Sequence, residues 1–457
     1  MLYVTLRFLF KITVQVFFRN ITIRNKEHIH KTGPILFVAN HPSAFMDPIV
    51  LATTLDRKLY FLGKGILFKS KLGKWILPKF NTIPIYRRAD DPGEMSKNED
   101  TFRVCYEYLE KGAAILIFPE GITKTGRTLL ELKTGAARIA LGAEAKNNFH
   151  LYIQIIPVGL NYANPHKFNQ DLYINISTPI NISEYKELYT KDAFNAAQQL
   201  TETIRGKLEK LIIAINDQHT DELSNAIESL YKNKLSKELG IYDDDKNSSF
   251  MLSKNIVSAV DHFIQTDPRR AQIMTQRINE YFINLKRLGL EDADIAPNER
   301  KKSLVQSSLS DLLTIALGFP FYIYGLINNY LPFKIPGWIA SRVASKREFI
   351  GSVGMSVGLF TFLIFYILQI TFIWKLSHQG WLTVLYALSL PVSGLFAYQY
   401  YYTIDKLHAK WVLLTVFYKK SVLISNLITE REKIIAEFDK ARNEYLEKSK
   451  FKQHIIH

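Results

Sequence analysis

The chain is poor in several things, and each shortage removes a class of protein. Its 457 residues include one cysteine, Cys105. No intramolecular disulfide framework is therefore available, and a reducing compartment fits. No group of His, Cys, Asp and Glu has metal-ligand spacing, and there is no glycine-rich phosphate loop. Internal repeats and low-complexity tracts are also missing. The first residues, MLYVTLRFLFKITVQVFFRN, lack the order of a secretory signal, because Arg7 and Lys11 interrupt the apolar stretch. Negative charge is in short supply too: 58 Lys and Arg against 43 Asp and Glu leave a formal net charge of +15. That excess asks for an acidic partner, either nucleic acid or an anionic membrane surface. At 47% hydrophobic residues, the composition excludes a disordered chain.

Long uncharged runs favour the membrane. Residues 352–374 and 380–403 each carry no charge and are separated by KLSHQ. Each is long enough to cross about 30 Å of hydrocarbon as a helix. Cations flank the outer ends of the pair (Arg342, Lys346, Arg347, Lys406 and Lys410), which places both ends on the cytoplasmic side. A shorter run, 312–327, is interrupted by Pro320 and is expected to be re-entrant or interfacial. The N-terminal segment is expected to lie in the interface as an amphipathic anchor.

Between these regions the pattern alternates. PILFVAN (34–40), KLYFLGK (58–64), TIPIYR (82–87), AAILIFPEG (113–121), IQIIPVGLNY (153–162) and LYINIST (172–178) read as strands. Helical patterns lie after Pro42, over 100–112 and over 130–146. This predicts an α/β fold with a mostly buried sheet flanked by helices. Residues 216–305 are polar and helical in pattern, and the tail from 404 to 457 is a charged helical pattern. The expected organisation is an anchor over 1–30, a catalytic domain over 31–215, a polar helical region over 216–305, a membrane region over 306–403 and the tail.

Four segments carry chemistry. NHPSAFMDP (40–48) follows a strand and sets His41 near Asp47, a pairing that makes a general base and its orienter, or only a turn with a cap. IPIYRR (83–88) ends a strand in Arg87, a guanidinium fork suited to phosphate, or a surface arginine. IFPEG (117–121) sets Glu120 at a strand end, where it can bond a polyol hydroxyl or only mark a turn. Lys124, Arg127 and Lys133 follow it. IIPVGLNY (155–162) reads mostly as scaffold. Ser43 lacks the glycines of a nucleophile elbow, and Cys105 lies on the apolar face of a helix, the place of a buried structural thiol.

Taken in order, His…Asp, I-P-I-x-R, F-P-E-G and I-P-V-G resemble the motif set of the phospholipid/glycerol acyltransferase superfamily, over about residues 30 to 185. GLNYANPHKF (159–168), with the later apolar hairpin, is similar to the glycerol-3-phosphate/dihydroxyacetone-phosphate acyltransferases that carry such a hairpin. The resemblance implies direct acyl transfer from acyl-CoA or acyl carrier protein to glycerol 3-phosphate in phospholipid synthesis. It also implies His41 as general base, Asp47 as its orienter, Arg87 on the acceptor phosphate, and Glu120 and Gly121 lining the acceptor site, with Lys133 beside them. No cofactor or metal is expected beyond the acyl donor, and no nucleic acid. The expected partners are membrane lipids, the donor and the acceptor, with the catalytic domain on the cytoplasmic face of a multi-pass membrane protein. The alternatives are a 1-acylglycerol-3-phosphate acyltransferase making phosphatidate, or a non-catalytic binder of anionic lipid.

One spacing departs from the family pattern. Five residues, not four, separate His41 from Asp47. In one unbroken helix, positions six apart are turned by roughly 240°. His41 must then precede the helix, and Pro42 is expected at its first position.

Overall fold

A computed structural model describes the chain except residues 1, 88, 89, 91, 125, 216, 217, 242–244, 297–303, 345, 420, 456 and 457. Arg88 therefore lies outside the described residues, as do the side chains of Arg347, Lys406 and Lys410. The chain forms two compact units: residues 1–216 with 335–360, and 217–334 with 361–457.

The first unit is built on one mixed sheet of eight strands: β1 (Phe18–Arg24), β2 (Ile35–Ala39), β3 (Leu59–Lys64), β4 (Thr82–Ile85), β5 (Ala114–Ile117), β6 (Gln154–Tyr162), β7 (Gln170–Ile176) and β8 (Ile180–Asn181). The order is β1-β7-β6-β2-β5-β3-β4, with β8 beside β6. β6–β7 and β6–β8 are antiparallel and every other pair is parallel. Every residue of β2 and β5 is buried, which is why their sequences are unbroken apolar runs rather than alternating ones.

Helices cover both faces. On one side α1 (Leu2–Phe17) and α2 (Met46–Thr54) pack Val14, Met46, Val50 and Leu51 against Ile35, Phe37 and Ile156. α3 (Lys71–Ile76) lies in the connection from β3 to β4. On the other side α4 (Asn98–Glu110), α5 (Gly135–Lys146) and α7 (Ala193–Leu211), with the short α6 (Lys186–Lys191) before it, bring Cys105, Leu109, Ala137, Leu200 and Ile204 against Leu36, Val38 and Ile115. Burial pushes the Cys105 thiol up to about 12.

Six strands fall where the sequence pattern places them. β1 does not: residues 18–24, expected inside the N-terminal anchor, form an edge strand on β7. The pattern also extends α5 too far, since the helix begins only at Gly135. Arg7, which interrupts the N-terminal apolar run, turns inward. Its guanidinium donates to the Ala52 and Leu55 carbonyls, both at 2.7 Å, closing the C-terminus of α2.

The second unit is helical: α8 (Gln218–Glu238), α9 (Lys246–Thr266), α10 (Pro268–Arg287), α11 (Asp292–Ile295), the larger parts of α12 (Leu304–Val343) and of α13 (Ile350–Ser377), and all of α14 (Gly380–Lys419) and α15 (Ser421–Ile455). The charged tail is not a solvated helix along its whole length. Ile424, Leu427, Ile434 and Phe438 of α15 join the core formed by Leu230, Ile278, Tyr281 and Leu285, and Arg277–Glu430 at 2.7 Å and Arg431–Asp292 at 2.7 Å bind its polar flank. The expected break at Pro320 is also absent, because α12 runs through it as one helix. A proline removes one amide donor and bends a helix without ending it where neighbouring groups compensate. Two helical stretches, Ile350–Ser377 and Gly380–Asp405, are long and apolar enough to cross a membrane.

Candidate active site

Register brings the chemistry together. Val38 of β2 stands opposite both Ile117 of β5 and Pro157 of β6. The chain leaving β2 and the chain leaving β5 therefore emerge side by side at the carboxyl edge of the sheet, where α/β folds place their sites. The first carries Asn40 and His41, the second Phe118 to Gly121. β6 continues past both to Tyr162.

Asn40 extends the sheet by one step. Its side chain donates to the Leu160 carbonyl at 3.0 Å and accepts the Leu160 amide at 2.7 Å, imitating a backbone pair beyond Ala39. His41 is then fixed from three sides. Its amide donates to Glu120 Oε1 at 2.8 Å. Its ring stacks on Phe118, centroids 4.1 Å apart and planes 16° from parallel. Its Nδ1 lies 2.7 Å from Asp47 Oδ2.

Asp47 is fully buried. It also accepts the Ser43 amide at 2.8 Å and the Tyr162 hydroxyl at 2.8 Å. Burial, and next the charge of Asp47, raise the Tyr162 phenol well above its ordinary range, so it stays neutral and donates. With acceptor-only oxygens facing it, the His41 Nδ1 carries the proton, and Nε2 presents its lone pair.

The extra residue between His41 and Asp47 is absorbed before the helix. Pro42 is not the first helical residue, contrary to expectation. α2 starts at Met46 after a turn in which Ala44 adopts φ 37°. Asp47 thus sits in the first turn of α2, near the positive end of the helix dipole.

Glu120 is buried, and both of its oxygens are taken by backbone amides: His41 at 2.8 Å and Leu130 at 3.1 Å. Burial raises its carboxyl above the ordinary range, against the opposing pull of those two bonds. Gly121 turns the chain with φ 70°, a conformation glycine adopts without a side-chain clash. Its carbonyl accepts from Arg87, whose fork is closed on the other side by Asp90. Lys64, at the end of β3, is held below the usual lysine range first by burial and then by the charge of Arg87, with Lys346 adding to it. Lys133 is not brought in: its amide bonds the Pro119 carbonyl at 2.8 Å, but its exposed ammonium pairs with Glu131 at 3.0 Å. Among the described residues, no group of three or more His, Cys, Asp and Glu is arranged to hold a metal.

Residues 335–360 belong to this unit and reach the same loop. Phe349 packs on Phe45, ring centroids 5.8 Å apart, and Met355 enters the core with Met46. Gly351 lies so close to the Pro165 carbonyl that a Cβ there would stand 1.9 Å from it.

Sequence reasoning missed Tyr162, Asn40, Phe118 and Lys64 as members of the site. Parallel register was the signal available for Asn40 and Phe118, which follow the paired residues Val38 and Ile117 at the same edge of the sheet.

The sequence model of the family described as Acyltransferase matches residues 20–161. Glycerol-3-phosphate O-acyltransferase 1 of Saccharomyces cerevisiae is 30% identical over 192 residues, covering 41% of this chain and 24% of that protein. An uncharacterised acyltransferase of Schizosaccharomyces pombe is 24% identical over 409 residues, covering 69% of this chain and 59% of the relative. A chloroplastic 1-acyl-sn-glycerol-3-phosphate acyltransferase of Arabidopsis thaliana is 29% identical over 124 residues, 27% of this chain and 33% of the relative. In each case the matched stretch spans less than two thirds of the relative's length.

Proposed function

We propose that the chain, whose residues 20–161 match the sequence model of the family described as Acyltransferase, transfers an acyl group from a thioester donor to a hydroxyl of glycerol 3-phosphate. The observation that carries the reading is the 2.7 Å contact between His41 Nδ1 and Asp47 Oδ2, with Tyr162 and the Ser43 amide holding the carboxylate.

A glycerol hydroxyl is too weak an acid to attack a thioester at neutral pH without a base. The His41 Nε2 accepts its proton as the oxygen bonds to the acyl carbon. The C–S bond breaks, and the leaving sulfur takes the proton back from the imidazolium. Asp47 stabilises the imidazolium meanwhile, and Phe118 keeps the ring in plane. Arg87 is the seat of the acceptor phosphate, which on arrival exchanges with Asp90 for the guanidinium fork. Glu120 acts through the backbone and sets the position of His41. Acyl-CoA and acyl carrier protein both supply the thioester this chemistry needs.

The first acylation is preferred because the yeast relative named for glycerol 3-phosphate matches a longer stretch than the Arabidopsis thaliana relative named for 1-acyl-sn-glycerol 3-phosphate, 192 residues against 124. Helices α13 and α14 act as membrane spans, with the catalytic unit on the cytoplasmic face. Purified full-length protein in detergent, given a labelled acyl donor and offered glycerol 3-phosphate, dihydroxyacetone phosphate and 1-acylglycerol 3-phosphate separately, tests the reading. Label entering the first acceptor best is the expected result. Preference for 1-acylglycerol 3-phosphate moves the protein to the second acylation, and no labelled lipid from any acceptor overturns the proposal.

A further inference from the structure

The connection from β3 to β4 is made almost entirely of short helical turns: Gly65–Phe68, α3 and Leu77–Phe80. It shows solvent its large apolar side chains. Leu72 is 66% exposed, Trp75 60% and Ile66 46%. Between residues 57 and 88 there are nine Lys or Arg and not one Asp or Glu. The cations are interleaved with the apolar groups, and the Lys79 ammonium stands 3.3 Å over the Trp75 ring. A soluble surface seldom exposes such a patch.

The patch does not end there. α1 packs beside Leu77–Phe80, and its outer stripe is also bare: Val4, Phe8, Ile12 and Val16, each at 45% exposure or more. These four recur every fourth residue and so form one line along the helix. Lysines around exposed Leu and Trp, continuous with an apolar helical stripe, are the make-up of a segment lying in a bilayer interface. The apolar groups enter the acyl boundary and the ammonium groups meet anionic headgroups.

We propose that Gly65–Phe80, with the outer stripe of α1, is a docking surface for an anionic lipid bilayer. It links β3, which ends at Lys64, to β4, which leads to Arg87. Docking therefore sets the cationic end of the site at headgroup level, where a phosphorylated lipid product leaves. That last step rests on the acyl-transfer reading, whereas the docking itself does not.

The test uses the full chain with Cys105→Ser, which removes the only native thiol, and Leu72→Cys carrying a polarity-sensitive fluorophore. The protein is placed in nanodiscs of phosphatidylcholine, alone or with phosphatidylglycerol. The expected result is a blue-shifted emission, quenched by lipid-borne quenchers, that strengthens several-fold with phosphatidylglycerol. Lys71→Gln with Lys74→Gln removes the dependence on anionic lipid. The same probe at Phe194→Cys, a site 69% exposed on α7, stays in water. A Leu72 probe as wet as the Phe194 probe in both membranes overturns the proposal. So does a probe shielded only when an acidic acyl carrier protein is added, which marks a protein-docking face instead. In parallel, the double lysine variant is expected to keep its turnover in detergent and lose it several-fold on anionic vesicles. If the parent protein acylates nothing, the functional reading fails while the fluorescence result stands.

Discussion

The backbone amide of His41 donates to the side chain of Glu120 at 2.8 Å, so the strand ends that carry the first and third motifs are tied by a carboxylate rather than by the sheet. The other oxygen of Glu120 accepts the amide of Leu130. Glu120 is thereby a positioning residue for the base, and its substitution separates two effects. Glu120→Ala leaves two partly buried amides without this acceptor, at a cost of up to about 1–3 kcal/mol each, and is expected to lower both thermal stability and turnover. Glu120→Gln keeps one acceptor and is expected to fall between it and the parent. A pH effect accompanies this. Because burial raises the carboxyl, the folded chain holds that proton more tightly than the unfolded chain. Stability is then lost as pH rises through the window just above the ordinary carboxyl value of about 4.3. Glu120→Gln removes this part of the slope, which thermal unfolding at a series of pH values reads directly.

Tyr162→Phe deletes one of three hydrogen bonds to Asp47 and little else. A bond to a charged group contributes about 1.5–3 kcal/mol, so turnover is expected to fall roughly 10- to 100-fold with the acceptor KM nearly unchanged. A variant that loses only KM would place the hydroxyl on the substrate rather than on the dyad.

Arg87 and Asp90 make opposite predictions. Arg87→Ala removes a bidentate site and is expected to raise the acceptor KM by an amount corresponding to about 2–3 kcal/mol, with turnover less affected because the phosphate is remote from the reacting hydroxyl. Arg87→Lys restores only part, since a point charge does not replace a fork. Asp90→Asn weakens the internal competitor and is expected to lower the acceptor KM. Steady-state kinetics with glycerol 3-phosphate check all three. An unchanged KM in Arg87→Ala moves the phosphate to another cation, with Lys64 next.

The order of strands and helices was legible because buried parallel strands write themselves as apolar runs, as in Leu36–Ala39 and Ala114–Ile117. β1 was not, since FRNITIR sits at a sheet edge and mixes polar with apolar residues. The pattern around His41 was visible as well, but the roles within it were not. Glu120 and Gly121 look in sequence like free groups at a loop, and only the fold shows that backbone amides and Arg87 occupy them. Tyr162 reads as scaffold because its partner is 115 residues away. Pro42 misled for a local reason: proline is favoured at a helix start, yet here the turn through Ala44 delays the helix to Met46.

Ala44 offers a test of that turn. At φ 37° it occupies a region that costs a non-glycine residue about 1–2 kcal/mol. Ala44→Gly is expected to keep activity and to raise stability by about 1 kcal/mol, whereas Ala44→Val, β-branched and buried, is expected to lose both. Denaturant unfolding of the two variants decides. If Ala44→Gly is the less stable of the pair, the left-handed turn is wrong.

The most direct measurement is the turnover of His41→Ala against the parent, in detergent, with labelled acyl donor and glycerol 3-phosphate, on protein shown to be folded by its unfolding curve. A general base contributes roughly 10²–10⁴-fold, so the variant is expected to lose that factor while its melting temperature stays close to the parent's. Parent-level transfer by folded His41→Ala would contradict the account, because the contact with Asp47 would then hold no catalytic group.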